Sequence, residues 1–200
     1  MDNNLIVRSE IFGIKEIGNN NVIINSKFIG DDIVIGNNCT IKNTVVASGT
    51  YITDSYIENS LIGKNCNVGP YSRIRPNCNI GDNCRIGNFV ELKNVQLGEG
   101  VKASHLSYIG DAIVGKNTNI GCGVVFANYN GKNKNISVVG KNCFIGSNVN
   151  IIAPIKLEDD TFICAGTTVT DSTNKGDFVI GRTKAIVKSK YSFYLKNSGK

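Results

Sequence analysis

An aliphatic residue recurs every six positions through most of this 200-residue chain, and that period decides what the chain can fold into. Ile17, Ile23, Ile29, Ile35 and Ile41 form one run; Ile62, Val68, Ile74, Ile80, Ile86 and Leu92 form another. The series goes on through Leu97, Ala103, Ile109, Val114, Ile120 and Phe126, then Val139, Ile145, Ile151, Leu157, Ile163 and Val169. This spacing fits neither a helix face nor simple strand alternation. It fits a coil of three short flat sides, one hexad to a side, with the aliphatic side chain pointing inward and Gly or Asn at the corners. The hexads IGKNCN, VGPYSR, IRPNCN, IGDNCR and IGSNVN carry the pattern in full.

Each coil then takes about 18 residues, and successive coils stack at roughly the 4.8 Å strand spacing. Sequence order becomes height. Burying each aliphatic side chain is worth about 1.5 to 3 kcal/mol, so the ladder can hold together a cylinder made mostly of polar residues. Five-residue steps at Ile41 to Val46, Ile52 to Ile57 to Ile62, Leu92 to Leu97 and Ile109 to Val114 adjust the corners without breaking the core. Between Phe126 and Val139 the ladder position would fall on Lys132, and ANYNGKNKNIS is too polar to face a core. It should bulge outward as a loop near 127–137, which makes Asn128, Tyr129 and Lys134 candidate functional residues.

Hexapeptide ladders of this kind resemble the left-handed parallel β-helix family, and the handedness follows from that resemblance, since general crossover rules favour the opposite hand. The expected fold is all-β: a left-handed parallel β-helix of hexapeptide repeats over 1–177, with the protruding loop and a basic C-terminal tail over 178–200. The tail carries the chain's whole charge excess. Of the net +6, Arg182, Lys184, Lys188, Lys190, Lys196 and Lys200 supply all, with no acidic residue among them. Such a tail can be solvated, a nucleic-acid arm or a clamp for a polyanionic small molecule; the nucleic-acid arm is disfavoured. No apolar run is long enough to span a bilayer, and MDNNLIVRSE lacks the pattern of a signal peptide. A cytosolic protein is expected, with no membrane partner.

Seven cysteines without CxxC spacing argue against a disulfide framework and a zinc knuckle. Cys39, Cys66, Cys78, Cys84 and Cys143 each stand four positions after a ladder residue, the slot for small side chains, so packing explains them. His105, in KASHLSYIG, is the chain's only histidine and its one side chain that titrates unperturbed near neutral pH. By register, Asn88 lies one coil below it and Cys122 one coil above, so Asn88 can orient the imidazole. Arg75 and Lys93 are 18 residues apart and should stack one coil above the other. Two adjacent cations suit a phosphate; the alternative is that Glu58 pairs with Arg75 while Lys93 points to water.

From Tyr71 to Arg182 the sequence closely resembles the acetyltransferase domain of the bacterial bifunctional N-acetylglucosamine-1-phosphate uridylyltransferase / glucosamine-1-phosphate N-acetyltransferase. The matching runs, in order, are RIRP, GNFVELK, KASHLSYIGDA, NIGCG, NYNGKNK, FIGSN, APIKL and AGTTVT. The resemblance implies that His105 is the general base, that Arg75, Lys93, Tyr108, Asn119 and Lys134 bind the sugar phosphate, and that Cys122, Asn128, Tyr129, Ser147, Ala165 and Arg182 bind acetyl-CoA. Cys122 replaces the family's usual Ala, and Asn130 its Asp. The implied reaction acetylates the 2-amine of glucosamine-1-phosphate for UDP-N-acetylglucosamine and cell-wall synthesis, with acetyl-CoA as co-substrate and no metal. It also implies a homotrimer, with the tail and its Tyr191, Phe193 and Tyr194 reaching a neighbouring subunit. Nothing matches the family's nucleotide-sugar pyrophosphorylase domain, and the first 70 residues read as further coils, so no uridylyl transfer is expected. Competing readings are acetyl transfer to a different or nucleotide-linked amino sugar and a non-catalytic β-helical scaffold. A β-helix carbonic anhydrase would need three histidines.

Overall fold

A computed structural model describes residues 3–187. Their 24 strands form one continuous sheet wound into a parallel solenoid, and no helix occurs among the described residues. Most strands are two to four residues long; Arg85–Leu97 and Lys102–Val114 each run for 13. Each rung pairs with the rung one coil away, as in Ile23↔Ile41, Val68↔Ile86, Leu92↔Ile109 and Ile145↔Ile163. The interior is the ladder itself, with Ile41, Val46, Ile52, Ile57, Val68, Ile74, Ile86 and Leu92 fully buried.

The hexad explains its own corners. Its fourth residue takes the left-handed conformation at Asn65 (φ 53°), Asn77 (66°), Asn83 (60°) and Asn148 (55°), a region Asn enters at low cost. The fifth residue then turns inward against the next corner and must be small: Cys66, Cys78, Cys84 and Val149 are all buried there. Cys39 and Cys143 fill the same slot, so the packing explanation of the five thiols holds, while Cys122 alone of the seven is exposed.

Three details depart from the simple count. Phe28 rather than Ile29 fills the core, 4% exposed against 47%, because Asn25 (φ 48°) turns the corner one residue early. Ile17, in the lowest coil, is only partly buried. The coil also runs past 177, since Phe178–Val179 pairs in parallel with Phe162–Ile163. The first 70 residues are coils as read, from Leu5–Val7 to Asn67–Val68. The tail's Lys188, Lys190, Tyr191, Phe193, Tyr194, Lys196 and Lys200, and its contact with a neighbouring subunit, fall outside the described residues. No helix among the described residues is long and apolar enough to cross a membrane.

The loop leaves the coil after Val125–Ala127 and rejoins it at Ser137–Val139. Tyr129 and Lys134 bridge antiparallel across its neck, and Asn130 Oδ1 accepts the N–H groups of Lys132 and Asn133 at its exposed tip.

Candidate active site

The two long strands set Asn88 directly beneath His105. His105 Nδ1 lies 2.9 Å from Asn88 Oδ1, and the ring is exposed. With an oxygen facing Nδ1, the neutral imidazole carries its proton there and leaves the Nε2 lone pair free. The column continues upward. The pairs Ala103↔Ile120, Ile120↔Ile145 and Ile145↔Ile163 stack Cys122, Ser147 and Ala165 in turn above His105. Backbone hydrogen bonds tie these rungs, Asn148 N–H to the Cys122 carbonyl and Gly166 N–H to the Ser147 carbonyl, each 2.8 Å. At the top, Arg182 Nη1 donates to the Ala165 carbonyl at 3.0 Å. Asn119, between Lys102 and Phe144, lies on the same wall.

A corner separates this wall from the next. Three successive coils turn it with Tyr71 (φ 59°), Phe89 (58°) and Leu106 (36°), where Gly123 and Asn148 turn the coils above, and all three are exposed. The Tyr71 and Phe89 rings stack with centroids 5.6 Å apart. Just past the corner a groove of about 410 Å³ is lined by Phe89, Glu91, Leu106, Ser107, Tyr108, Gly123 and Val125.

On the second wall Arg75 and Lys93 do stack, since Ile74↔Leu92 carries Arg75 beneath Lys93 and the Arg75 N–H donates to the Leu92 carbonyl. Arg75 is not free. Its Nη1 pairs with Glu91 Oε1 at 2.9 Å, which holds the guanidinium pKa above its ordinary value; Tyr108 and Glu58 add smaller contributions. The acid that engages Arg75 is therefore Glu91 from the coil above, rather than Glu58. Lys93 meets Lys134 from the loop. The close amine of Lys134, then desolvation and the Lys134 charge, lower the Lys93 pKa, while Asp111 opposes the shift. Lys93 lies beneath Gly110, and a side chain at Gly110 would collide with the Tyr108 hydroxyl and Asn128 Nδ2. Glycine there lets those two groups close over the backbone.

Arg75, Lys93, Tyr108, Lys134, Asn128 and Tyr129 thus gather on one wall and its loop, while His105, Asn119, Cys122, Ser147, Ala165 and Arg182 gather on the other. The corner at Phe89 and Leu106 stands between His105 and the two cations. Glu91 and Asp111 are the site residues that the count along the chain did not single out. Among the described residues no group of three His, Cys, Asp or Glu side chains could hold a metal ion.

Comparison with known proteins agrees with the repeat. The model of the bacterial transferase hexapeptide (six repeats) matches residues 59–94, and that of the hexapeptide repeat of succinyl-transferase matches 137–171. The bifunctional protein GlmU of Clostridioides difficile is 45% identical over 160 residues, 80% of this chain and 35% of its own length. The same protein of Clostridium novyi is 46% identical over 166 residues, 83% of this chain and 36% of its own. The chain therefore spans about a third of the length of these curated relatives. A solved UDP-N-acetylglucosamine acyltransferase of Arabidopsis overlays 88% of this chain and 66% of its own at 17% identity, with a TM-score of 0.40, a likeness too loose to bear on the site.

Proposed function

We propose that this chain, a carrier of bacterial transferase hexapeptide repeats that matches the GlmU proteins over about four fifths of its length, transfers an acetyl group from acetyl-CoA to the 2-amine of glucosamine-1-phosphate. The observation that carries the reading is the imidazole of His105, held by Asn88 at Nδ1 and open at Nε2, at the foot of the column Cys122, Ser147, Ala165 and Arg182. Nε2 takes the proton of the attacking amine as the nitrogen bonds to the thioester carbonyl; the tetrahedral adduct then collapses, the C–S bond breaks, and the imidazolium returns that proton to the departing sulfur, so coenzyme A leaves as the thiol. The thioester is already activated, so alignment of the two substrates supplies much of the remaining rate. Arg75, Lys93 and Lys134 hold the phosphate, Tyr108 and Asn119 the sugar. The small-residue column, with Asn128, Tyr129 and Arg182, accommodates the coenzyme. Uridylyl transfer is no part of the proposal.

The two walls meet different sides of the corner, which favours a cleft completed by a neighbouring copy. A closed homotrimer of flat-sided prisms provides three such clefts. Its exposed Tyr71, Phe89 and Leu106, in conformations large side chains seldom adopt, support contact at that corner. We place the enzyme in the cytoplasm, where acetyl-CoA and sugar phosphates are at hand. The test is release of free thiol from acetyl-CoA with a panel of acceptors. Glucosamine-1-phosphate should exceed glucosamine and a nucleotide-linked amino sugar in kcat/KM by at least about tenfold, the worth of one good charge-assisted contact. Release that no amine accelerates would leave a non-catalytic scaffold; preference for the nucleotide-linked sugar would move the acceptor.

A further inference from the structure

The corner after the second wall is a column of asparagines, Asn25, Asn43, Asn59, Asn77 and Asn94, all with positive φ. Side-chain and backbone hydrogen bonds link successive members, such as Asn25 Nδ2 to Asn43 Oδ1 at 2.8 Å and Asn77 N–H to the Asn59 carbonyl at 3.1 Å. The next member is Asp111 (φ 49°), 7% exposed. Five amides below it show that the turn itself needs no charge.

The carboxylate has both oxygens engaged. Asn94 Nδ2 donates to Oδ1 at 2.7 Å, and Asn128 Nδ2 donates to Oδ2. An ionised carboxylate only accepts hydrogen bonds, so both amides must turn their NH₂ groups towards it. For Asn94 this continues the column. For Asn128, at the neck of the loop, it dictates which end of the amide is left over. Asn128 is itself 7% exposed, its backbone carbonyl accepts Asn135 N–H at 2.7 Å across the loop, and its side chain lies beside the Tyr108 hydroxyl over Gly110. With one Nδ2 hydrogen given to Asp111 and the nitrogen turned towards the Tyr108 hydroxyl over Gly110, Oδ1 remains as the acceptor Asn128 can offer a ligand.

We propose that Asp111 is a positioning residue that fixes the Asn128 amide so that its oxygen is presented to an amide N–H of the bound coenzyme. This rests on the reading above that Asn128 lies on the coenzyme side. An amide at position 111 would satisfy Asn94 equally well, but its own NH₂ would force Asn128 to flip and present a donor instead. The swap Asp111→Asn with Asn128→Asp restores the pattern: the donor now comes from position 111, the acceptor from position 128, and an oxygen again faces outward.

Full-length protein would be titrated with coenzyme A by calorimetry, and kcat and the KM for acetyl-CoA measured alongside. Asp111→Asn should weaken coenzyme A binding and raise that KM by about tenfold, the scale of one mispaired hydrogen bond. Its kcat at saturation should stay within about twofold, and the swap should recover most of the lost affinity. In the parent, the Asn128 side-chain amide resonance should sit apart from exposed asparagines and move towards them in Asp111→Asn. Unchanged coenzyme A affinity in folded Asp111→Asn, or a swap no better than the single change, would overturn the proposal while leaving acyl transfer intact. A parent protein that binds no coenzyme A would overturn the acyl-transfer reading and this proposal with it.

Discussion

The role proposed for His105 depends on what holds its ring. Asn88 occupies Nδ1 at 2.9 Å, so the nitrogen that faces solvent is the basic one. That pairing was legible from the count along the chain, because both residues sit on rungs in direct register. Glu91 was not legible in the same way. It reaches Arg75 diagonally, from a position two residues before Lys93 on the rung above, and diagonal neighbours on one face are also within reach of long side chains. Lys93 shows what such proximity does to charge. With Lys134 beside it, its ammonium loses its proton at a lower pH than an ordinary lysine. Phosphate binding should therefore weaken early as pH rises. Lys93→Met should raise the KM of glucosamine-1-phosphate by about ten- to a hundredfold, the loss of one charge-assisted contact, and leave that of glucosamine within about twofold. In Lys134→Met the KM should be higher throughout, but its alkaline rise should move to higher pH. Equal effects on both amines, or an alkaline limb that stays in place, would count against a phosphate site.

Among elements, the hexad is the unit that carried most of the fold. Apolar first residue, left-handed fourth and small fifth can be read directly from IGKNCN or IGDNCR, and the coil, the loop and the thiol slots followed from them. The misreading at Ile29 has a physical source: Asn25 is a left-handed corner within a five-residue step, and Ile and Phe side by side give the ladder two aliphatic or aromatic choices. Composition could not reveal Phe144, Phe162 and Phe178 as an exposed stack, with centroids 4.7 and 5.3 Å apart, because outward positions carry no period of their own. One inward position is imperfect. Ser137, where the chain returns from the loop, is fully buried, and its hydroxyl has no hydrogen-bond partner among the described residues. Its rung neighbour Ala112 has no polar group to offer. Ser137→Ala should therefore raise stability by about 1 kcal/mol, since an orphaned buried hydroxyl costs about 1 to 3 kcal/mol in desolvation. Denaturant unfolding with an unchanged m-value would measure this, and a loss of stability would mean that the hydroxyl has a partner in solution.

At the scale of the whole molecule, the solenoid converts sequence distance into height and leaves each wall nearly independent of the others. It stacks residues as far apart as Asn88 and Ala165 in one column, and it gathers three cations from two coils and a loop on the adjacent wall. It does not fold the walls onto one another, so the proposed cleft would be completed by a second copy, and one chain's sequence carries no direct sign of that. The family resemblance is the source of the proposed trimer, and the exposed corner at Tyr71, Phe89 and Leu106 is where the proposal puts its contact. What remains common to every version of the site is the imidazole. The most direct test is steady-state thiol release from acetyl-CoA with glucosamine-1-phosphate, comparing the parent with His105→Ala at matched fold and oligomeric state. Removal of the base should lower kcat by about 10² to 10⁴, with both KM values changed little. A folded His105→Ala oligomer that turns over at the parent's rate would contradict the assignment of His105 as the base.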